Sequence, residues 1–169
     1  MRPALRLTRT RYDDPVVGEL VAHVQSEYVH RYGGPDRTVT EASQFDPPAG
    51  VFLVGWVGDQ AVASGGLRRH DNQTAEIKRM YVVPEYRGRG FARSVLAALE
   101  GCAVDLGYRQ IVLETGAEQP EAIALYTSSG YLPVEGFGHY RDSPLSRSFG
   151  KPLSGTHGPD SSTPDAAPA

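Results

Sequence analysis

The spacing of apolar residues along the chain separates predicted helices from predicted strands. Apolar positions three and four residues apart indicate amphipathic helices, whereas short runs dense in apolar and β-branched residues indicate strands. The pattern predicts helices at 15–32, 38–45, 91–106 and 120–129. It predicts strands at 4–8, 51–57, 61–70, 74–83, 110–115, 131–134 and 147–153.

Turn and cap residues fit these boundaries. Asp14 before Pro15 is typical of a helix start, and Gly33 is typical of a helix end. Gly58-Asp59-Gln60 suits a tight turn, so the strands on either side of it are expected to form a hairpin, and a third strand then completes an antiparallel meander. The overall order predicts a mixed α/β, or α+β, sheet with helices on its faces.

Composition narrows the class of protein. The 169 residues suit one domain, and a net charge of −3 lacks the basic excess of nucleic-acid-binding proteins. No apolar run approaches the ~20 residues that span a membrane. Cys102 is the only cysteine and is expected to be a buried structural residue rather than a reactive thiol. These features lead us to expect a cytoplasmic protein without nucleic-acid or membrane partners.

The last residues differ from the rest in composition. Residues 154–169 contain no aromatic side chain and no aliphatic one larger than alanine, so they bury too little surface to offset the entropy of ordering. We expect a folded domain at 1–153 and a flexible tail at 154–169.

The stretch PEYRGRGFARSVLAALE, at 84–100, suggests an anion site. A helix N-terminus carries unpaired N–H groups and partial positive charge, and glycines let a ligand approach the backbone. Gly88 and Gly90 precede the predicted helix, and Arg87, Arg89 and Arg93 add cations suited to phosphate. The lysine of a nucleotide P-loop is absent, and Arg93 stands where a dinucleotide fingerprint needs a small residue. A glycine-rich turn with solvated arginines is the alternative.

Two blocks of sequence then resemble one known family. EIKRMYVVPEYRGRGFARSVLAALE, at 76–100, is similar to the acetyl-CoA-binding core of the GNAT superfamily, the Gcn5-related N-acetyltransferases, whose loop reads Q/R-x-x-G-x-G/A. AIALYTSSGYLPV, at 122–134, resembles the second block of that family. The residues around 137–151 resemble a bacterial subgroup of small-molecule type. The similarity covers about residues 51–134 well, and it implies a mostly antiparallel sheet that splays at a bulge.

The resemblance implies which residues bind the acetyl-CoA co-substrate. Loop amides would bind the pyrophosphate, and the strand before the loop would pair its backbone with the pantetheine arm. Ile77 and Met80 are both apolar but three residues apart, as a bulge would leave them, although a strand buried on both faces gives the same pattern. Gln119 stands where the family often has asparagine; it keeps the side-chain amide and reaches farther. The cofactor-binding candidates are Met80, Tyr81, Val82, Arg87, Gly88, Arg89, Gly90, Phe91, Ala92 and Gln119.

Two residues are catalytic candidates on the same ground. Tyr126 would protonate the departing thiolate, since a phenol stays protonated at neutral pH; a plain core tyrosine is the alternative. Glu76 would act as the base, directly or through water, with a structural ion pair to Lys78 or Arg79 as its alternative. Glu114 on the neighbouring strand is a second candidate base. His70 and His139 are weaker ones, and no metal is expected.

The expected function is therefore an N-acetyltransferase that moves an acetyl group from acetyl-CoA to an amine by direct transfer in a ternary complex. The acceptor is a small-molecule amine or a protein amine, and analogy with the superfamily suggests a homodimer. A non-catalytic acyl-CoA sensor is the alternative, and a nucleotide-dependent phosphotransferase fits less well. The acceptor side of the site is expected to draw on Tyr28, Tyr32, Glu41, His139 and Tyr140.

Overall fold

The protein is a seven-stranded sheet with helices on both faces, in a computed structural model that describes residues 4–154. The strands lie in the order β1-β2-β3-β4-β5-β7-β6. Every neighbouring pair is antiparallel except β4 and β5, which are parallel. The strands are β1 (Arg6–Arg9), β2 (Val51–Val57), β3 (Gln60–Arg69), β4 (Thr74–Val82), β5 (Gln110–Gly116), β6 (Leu132–Pro133) and β7 (Ser146–Pro152). The helices are α1 (Pro15–Tyr32), α2 (Phe91–Asp105) and α3 (Pro120–Ser128).

These elements confirm the predicted fold class. The Asp14 side chain accepts a hydrogen bond from the Val16 N–H at 2.9 Å and so caps α1, which ends at Gly33 with φ 79°. The parallel pair β4 and β5 is joined by α2, as a parallel connection requires a crossover. Apart from Ser154, the predicted tail lies outside the described residues. None of the described helices combines the length and the apolarity needed to cross a membrane.

One predicted helix is wrong. The pattern favoured a helix over 38–45, but only a 3-10 turn at Ala42–Phe45 forms. The Asp36 side chain accepts from the Thr38 N–H at 2.9 Å, which turns the chain locally, and Arg68 binds the Val39 carbonyl at 2.9 Å. The Arg68 contact takes up a carbonyl that a helix would have used, whereas the Thr38 N–H would have had no partner within the helix.

The core has two parts, one on each face of the sheet. Alternate residues of β2 face opposite sides: Phe52 and Val54 pack with α1, and Val51 and Leu53 pack in the cluster that includes α2. Tyr126 of α3 belongs to that second cluster, and the partly buried Cys102 packs against it.

β4 contains the bulge that the sequence suggested. Ser64 pairs with Tyr81 and Gly66 pairs with Lys78, so two residues of β4 lie opposite Gly65 alone. These two residues are Arg79, which has φ 61°, and Met80. The extra residue reverses the facing of the strand: Ile77 packs on the α2 side and Tyr81 on the α1 side, although strict alternation would put them together.

We predict that Gly50, where the chain enters β2, tolerates no side chain. A Cβ there would lie 2.1 Å from the Leu67 carbonyl oxygen and 2.2 Å from that of Gln44, both on backbone that cannot swing away. Gly50→Ala should lower the free energy of unfolding by about 1–3 kcal/mol or more, measured by urea denaturation. Gly18→Ala is the control, because a Cβ within α1 at that position meets nothing within 4 Å and should be neutral or stabilising by about 0.5–1 kcal/mol. Equal stability of the two variants would contradict the packing described.

Candidate active site

The sheet opens where β4 and β5 stop pairing. Their ladder runs only from Thr74 with Gln110 to Ile77 with Leu113, although β4 continues to Val82 and β5 to Gly116. A cavity of about 710 Å³ lies against the separated ends. It is lined by residues of α1, of the bulge, of the loop before α2 and of α3.

The free edge of β4 presents backbone groups to this opening. The Val83 N–H donates to the Val62 carbonyl on β3 at 2.8 Å. Because backbone groups alternate along a strand, the N–H and C=O of Val82 face the other edge. The Val82 carbonyl accepts from Arg87 Nε there, at 2.8 Å. Met80, Tyr81 and Val82 all line the cavity, and their pairing with an extended ligand stays a prediction.

The loop before α2 leaves a row of N–H groups without acceptors. Gly88 and Gly90 have φ 75° and 83°, a conformation that favours glycine, and a Cβ at either would meet nothing within 4 Å. Within residues 4–154, no protein acceptor pairs with the N–H groups of 88–93. The N-terminus of α2 adds partial positive charge at the same place. The loop can therefore bind an anion through its backbone.

The arginine side chains of this loop contact the protein itself. Arg87 pairs with Glu27 and lies over the ring of Tyr81. Arg93 donates to the hydroxyls of Ser128 and Ser129, at 2.9 and 3.1 Å. Arg89 lies over the ring of Tyr86 and does not line the cavity. Arg87, Gly88, Gly90, Phe91 and Ala92 do line it, so the amides are the better-placed anion ligands.

Tyr126 lies in the core and lines the cavity. Its side chain is buried, and burial raises the pKa of its hydroxyl well above the ordinary value. The phenol therefore stays protonated and can donate a proton. Gln119 also lines the cavity, and its amide nitrogen lies 3.4 Å from the Tyr32 hydroxyl.

The two candidate carboxylates have different surroundings. Glu76 is buried and forms an ion pair with Arg68 Nε at 2.8 Å. A structural ion pair was the alternative to a catalytic role, and it exists. The predicted partners of that ion pair, Lys78 and Arg79, were wrong. Glu76 lines only a smaller cavity of about 290 Å³, which also contacts His70 and His139. Glu114 lines both cavities. Burial raises the pKa of Glu114, with Glu76 and Asp36 adding to the rise and Lys78 opposing it.

Of the predicted acceptor-side residues, the structure brings three to the large cavity and leaves two away from it. Tyr28, Tyr32 and Tyr140 line the large cavity. His139 lines only the smaller one, and Glu41 caps the 3-10 turn at Ala42–Phe45. Burial, followed by the charge of Asp36, raises the pKa of Tyr28 to about 12. No cluster of potential metal ligands occurs in the described part of the chain.

A buried ionic cluster at the bulge was not foreseen from the sequence. Asp36 Oδ2 lies 3.1 Å from Lys78 Nζ and 3.0 Å from an Arg79 terminal nitrogen. Burial alone would raise the pKa of Asp36, but Lys78, the hydrogen bond from Thr38 and Arg79 together lower it to about 2. The signal available was a pair of cations, Lys78 and Arg79, inside an otherwise apolar strand.

Comparison with known proteins gives one consistent family. The model of the acetyltransferase (GNAT) family matches residues 18–131. An uncharacterized N-acetyltransferase of Escherichia coli K12, YjgM, is 28% identical over 134 residues, which cover 75% of this chain and 80% of that protein. A Klebsiella pneumoniae structure described as an acyl-CoA N-acyltransferase is 30% identical with a TM-score of 0.76, covering 89% of this chain and 98% of the other.

A further solved structure shows the same fold at lower identity. It is a GNAT family acetyltransferase from Elizabethkingia anophelis with acetyl-CoA bound. It is 15% identical with a TM-score of 0.66, and the alignment covers 88% of this chain and 98% of that one.

The ionic cluster predicts a specific pH dependence of stability. Folding lowers the pKa of Asp36 from 3.8 to about 2, so its carboxylate stabilises the fold above pH ~4, and this contribution is lost as the pH falls towards 2. A shift of this size is worth roughly 2 kcal/mol. Urea denaturation between pH 6 and pH 2.5 should show a steeper loss for the parent protein than for Asp36→Asn. That variant should also be about 3–5 kcal/mol less stable at neutral pH, because two buried cations lose their partner. Parallel pH profiles would contradict this assignment.

Proposed function

Because the chain belongs to the acetyltransferase (GNAT) family, we propose that it moves an acetyl group from acetyl-CoA to an amine by direct transfer within a ternary complex. The observation that carries this proposal is the row of unpaired amides at 88–93, at the mouth of a cavity that Tyr126 also lines. The family model covers both features.

The site fits acetyl-CoA at three points. Backbone amides of the loop suit its pyrophosphate, and the free edge of β4 suits the amide-bearing pantetheine arm. The Val82 N–H is directed to the same side and would hold the thioester carbonyl oxygen, where negative charge develops during transfer. Acetyl-CoA would supply the acetyl group as a thioester, and holding it beside the amine would supply much of the rate gain.

Tyr126 is the proposed acid. As the amine nitrogen bonds to the carbonyl carbon and the carbon–sulfur bond breaks, the electron pair passes to sulfur. The Tyr126 hydroxyl would give that sulfur a proton and later regain one from solvent. Its raised pKa keeps the hydroxyl protonated at neutral pH, so that it is available as a donor.

Glu114 is the proposed base, ahead of Glu76. The amine must lose its proton before it attacks, and a carboxylate with a raised pKa is a better proton acceptor than an ordinary one. Glu114 lines the large cavity, whereas Glu76 is held by Arg68 and does not. The role of Glu76 as the base stays a prediction, and comparison of Glu114→Gln with Glu76→Gln tests it. Assembly as a homodimer stays a prediction as well.

We predict that Tyr126→Phe lowers kcat by about 10²–10⁴-fold while acetyl-CoA binds as before, because the change removes one hydroxyl and little packing. Tyr131→Phe is the matched control. Tyr131 contacts the Tyr126 ring, but its hydroxyl is bonded to Glu100 at 3.1 Å and lies away from the cavity. Thiol release with a screened amine measures kcat, and calorimetry measures acetyl-CoA affinity. Unchanged turnover in Tyr126→Phe would remove it as the acid. Acetyl-CoA binding without turnover in the parent protein, across all amines, would favour the sensor.

We predict that Glu114→Gln removes the acidic limb of the pH profile of kcat/KM. The base must be ionised, so activity should rise through the pKa of Glu114, at a higher pH than an ordinary carboxylate would give. Glu76→Gln should keep that limb, shifted to lower pH because Glu76 helps to raise the pKa of Glu114, and should also lose stability because Arg68 is left without its buried partner. Loss of the acidic limb in Glu76→Gln, with the limb retained in Glu114→Gln, would establish Glu76 as the base.

A further inference from the structure

The place where β4 and β5 separate carries opposite charges on its two arms. Ile77 and Leu113 form the last pair of the β4–β5 ladder. Lys78 follows Ile77 on β4, and Glu114 follows Leu113 on β5. Ile77 and Leu113 pack in the cluster on the α2 side, so Lys78 and Glu114 face the other side together. Both line the large cavity. A ligand that carries both charges, such as a small zwitterion, would complement the two groups.

The two cations at this point share one ion-paired carboxylate. Lys78 and Arg79 have side chains that are 8% and 4% exposed, and both contact the same oxygen of Asp36. Glu114 is a second carboxylate that interacts with the charge of Lys78 without forming a salt bridge to it in the described part of the chain. Buried cations that share one acceptor have donors to spare, and a further anion would be stabilised beside them.

Arg79 also has unused hydrogen-bonding capacity. Its guanidinium has five N–H donors, and its Nε is buried without a partner among the described residues. Its backbone φ of 61° is uncommon for a residue with a side chain. The bulge thus holds this strained arginine against the cavity wall, where a planar carboxylate would suit its donors.

Most other charged side chains around the cavity are paired elsewhere, whereas Arg37 and Arg93 line it without an ion pair in the described part of the chain, and Arg93 donates to the hydroxyls of Ser128 and Ser129. Arg87 binds Glu27 beside the loop that precedes α2, and Glu121 binds Arg31 near the start of α3. Glu76 is neutralised by Arg68. Glu114 has no such ion pair in the described part of the chain, so it is the acidic group best placed to receive an ammonium group.

We propose that the acceptor is an amino acid or a close analogue, whose carboxylate binds Lys78 and Arg79 while its amine lies at Glu114. This inference rests on the proposed acetyl transfer and assigns the class of its acceptor. The carboxylate supplies acceptors to Lys78 and to the unpartnered Nε of Arg79, and the ammonium group meets the carboxylate that would remove its proton. An amine without the carboxylate leaves those donors without an acceptor.

The test compares each of the twenty common amino acids with its own primary amide, as acceptors for acetyl-CoA, by thiol release. The amide keeps the shape and removes the charge. At least one acid should exceed its amide in kcat/KM by about 10–100-fold, the worth of hydrogen bonds to a charged group. The amine of an amide is less basic and more often neutral near pH 7, so intrinsic reactivity favours the amide and works against this result.

Variants separate the subsite from general charge effects. Lys78→Met should raise KM for the preferred acid about tenfold or more relative to its amide, so the preference collapses. Loss of Lys78 also removes a charge that lowers the pKa of Glu114, but this affects acid and amide alike and cancels in their ratio. Arg79→Gln should act likewise if it folds. Arg69→Met is the control. Arg69 lines the smaller cavity and not the large one, so its replacement removes one cation nearby and should keep the preference for the acid over its amide.

The outcomes distinguish the amino-acid assignment from the proposed acetyl transfer on which it rests. Turnover of amides or simple amines with no preference for any acid would overturn the amino-acid assignment and leave the acetyltransferase intact. A preference that survives Lys78→Met would also overturn it, because the carboxylate would then bind elsewhere. No thiol release with any acid, amide or amine, despite acetyl-CoA binding, would overturn the proposed function and this inference together.

Discussion

A single register break in β4 organises the site. The bulge at Arg79 and Met80 reverses the facing of the strand, and the ladder to β5 ends directly before it. A sheet normally satisfies the backbone groups of both edges of an inner strand. Here the end of β4 keeps its bonds to β3 and leaves the other edge open, so a ligand can pair with it. The cavity, the Val82 amide that faces the open edge and the position of the loop before α2 all follow from that separation.

The ionic cluster at the bulge links the α1 side of the protein to the sheet. Asp36 comes from the chain just after α1 and reaches Lys78 and Arg79, 42 and 43 residues later. It therefore fixes that chain segment across the bulge while it partly neutralises the two cations. A bulge without such a partner would expose a strained backbone and two buried charges, both of which destabilise a fold.

Much of this architecture could be read from the sequence, for local reasons. The capped helices, the meander and the glycine loop depend on residues close together in the chain, such as Asp14 with Pro15 and Gly88 with Gly90. The bulge left a trace in the spacing of Ile77 and Met80. The pairing of Asp36 with Lys78 and of Glu76 with Arg68 could not be read in this way, because each is fixed by tertiary packing. The predicted helix over 38–45 was wrong for the same reason: Arg68, 29 residues along the chain, donates to the Val39 carbonyl that the helix would have used.

The central claim is that the separated strands and the glycine loop form an acetyl-CoA site. Thermal unfolding of the full chain with acetyl-CoA, beside free CoA and ATP with magnesium, tests it most directly. A ligand at a hundred times its dissociation constant should stabilise the fold by roughly 2.7 kcal/mol, which is readily seen as a rise in Tm. The account predicts that rise with acetyl-CoA and with CoA, and none with ATP. No rise with acetyl-CoA, or an equal rise with ATP, would contradict it.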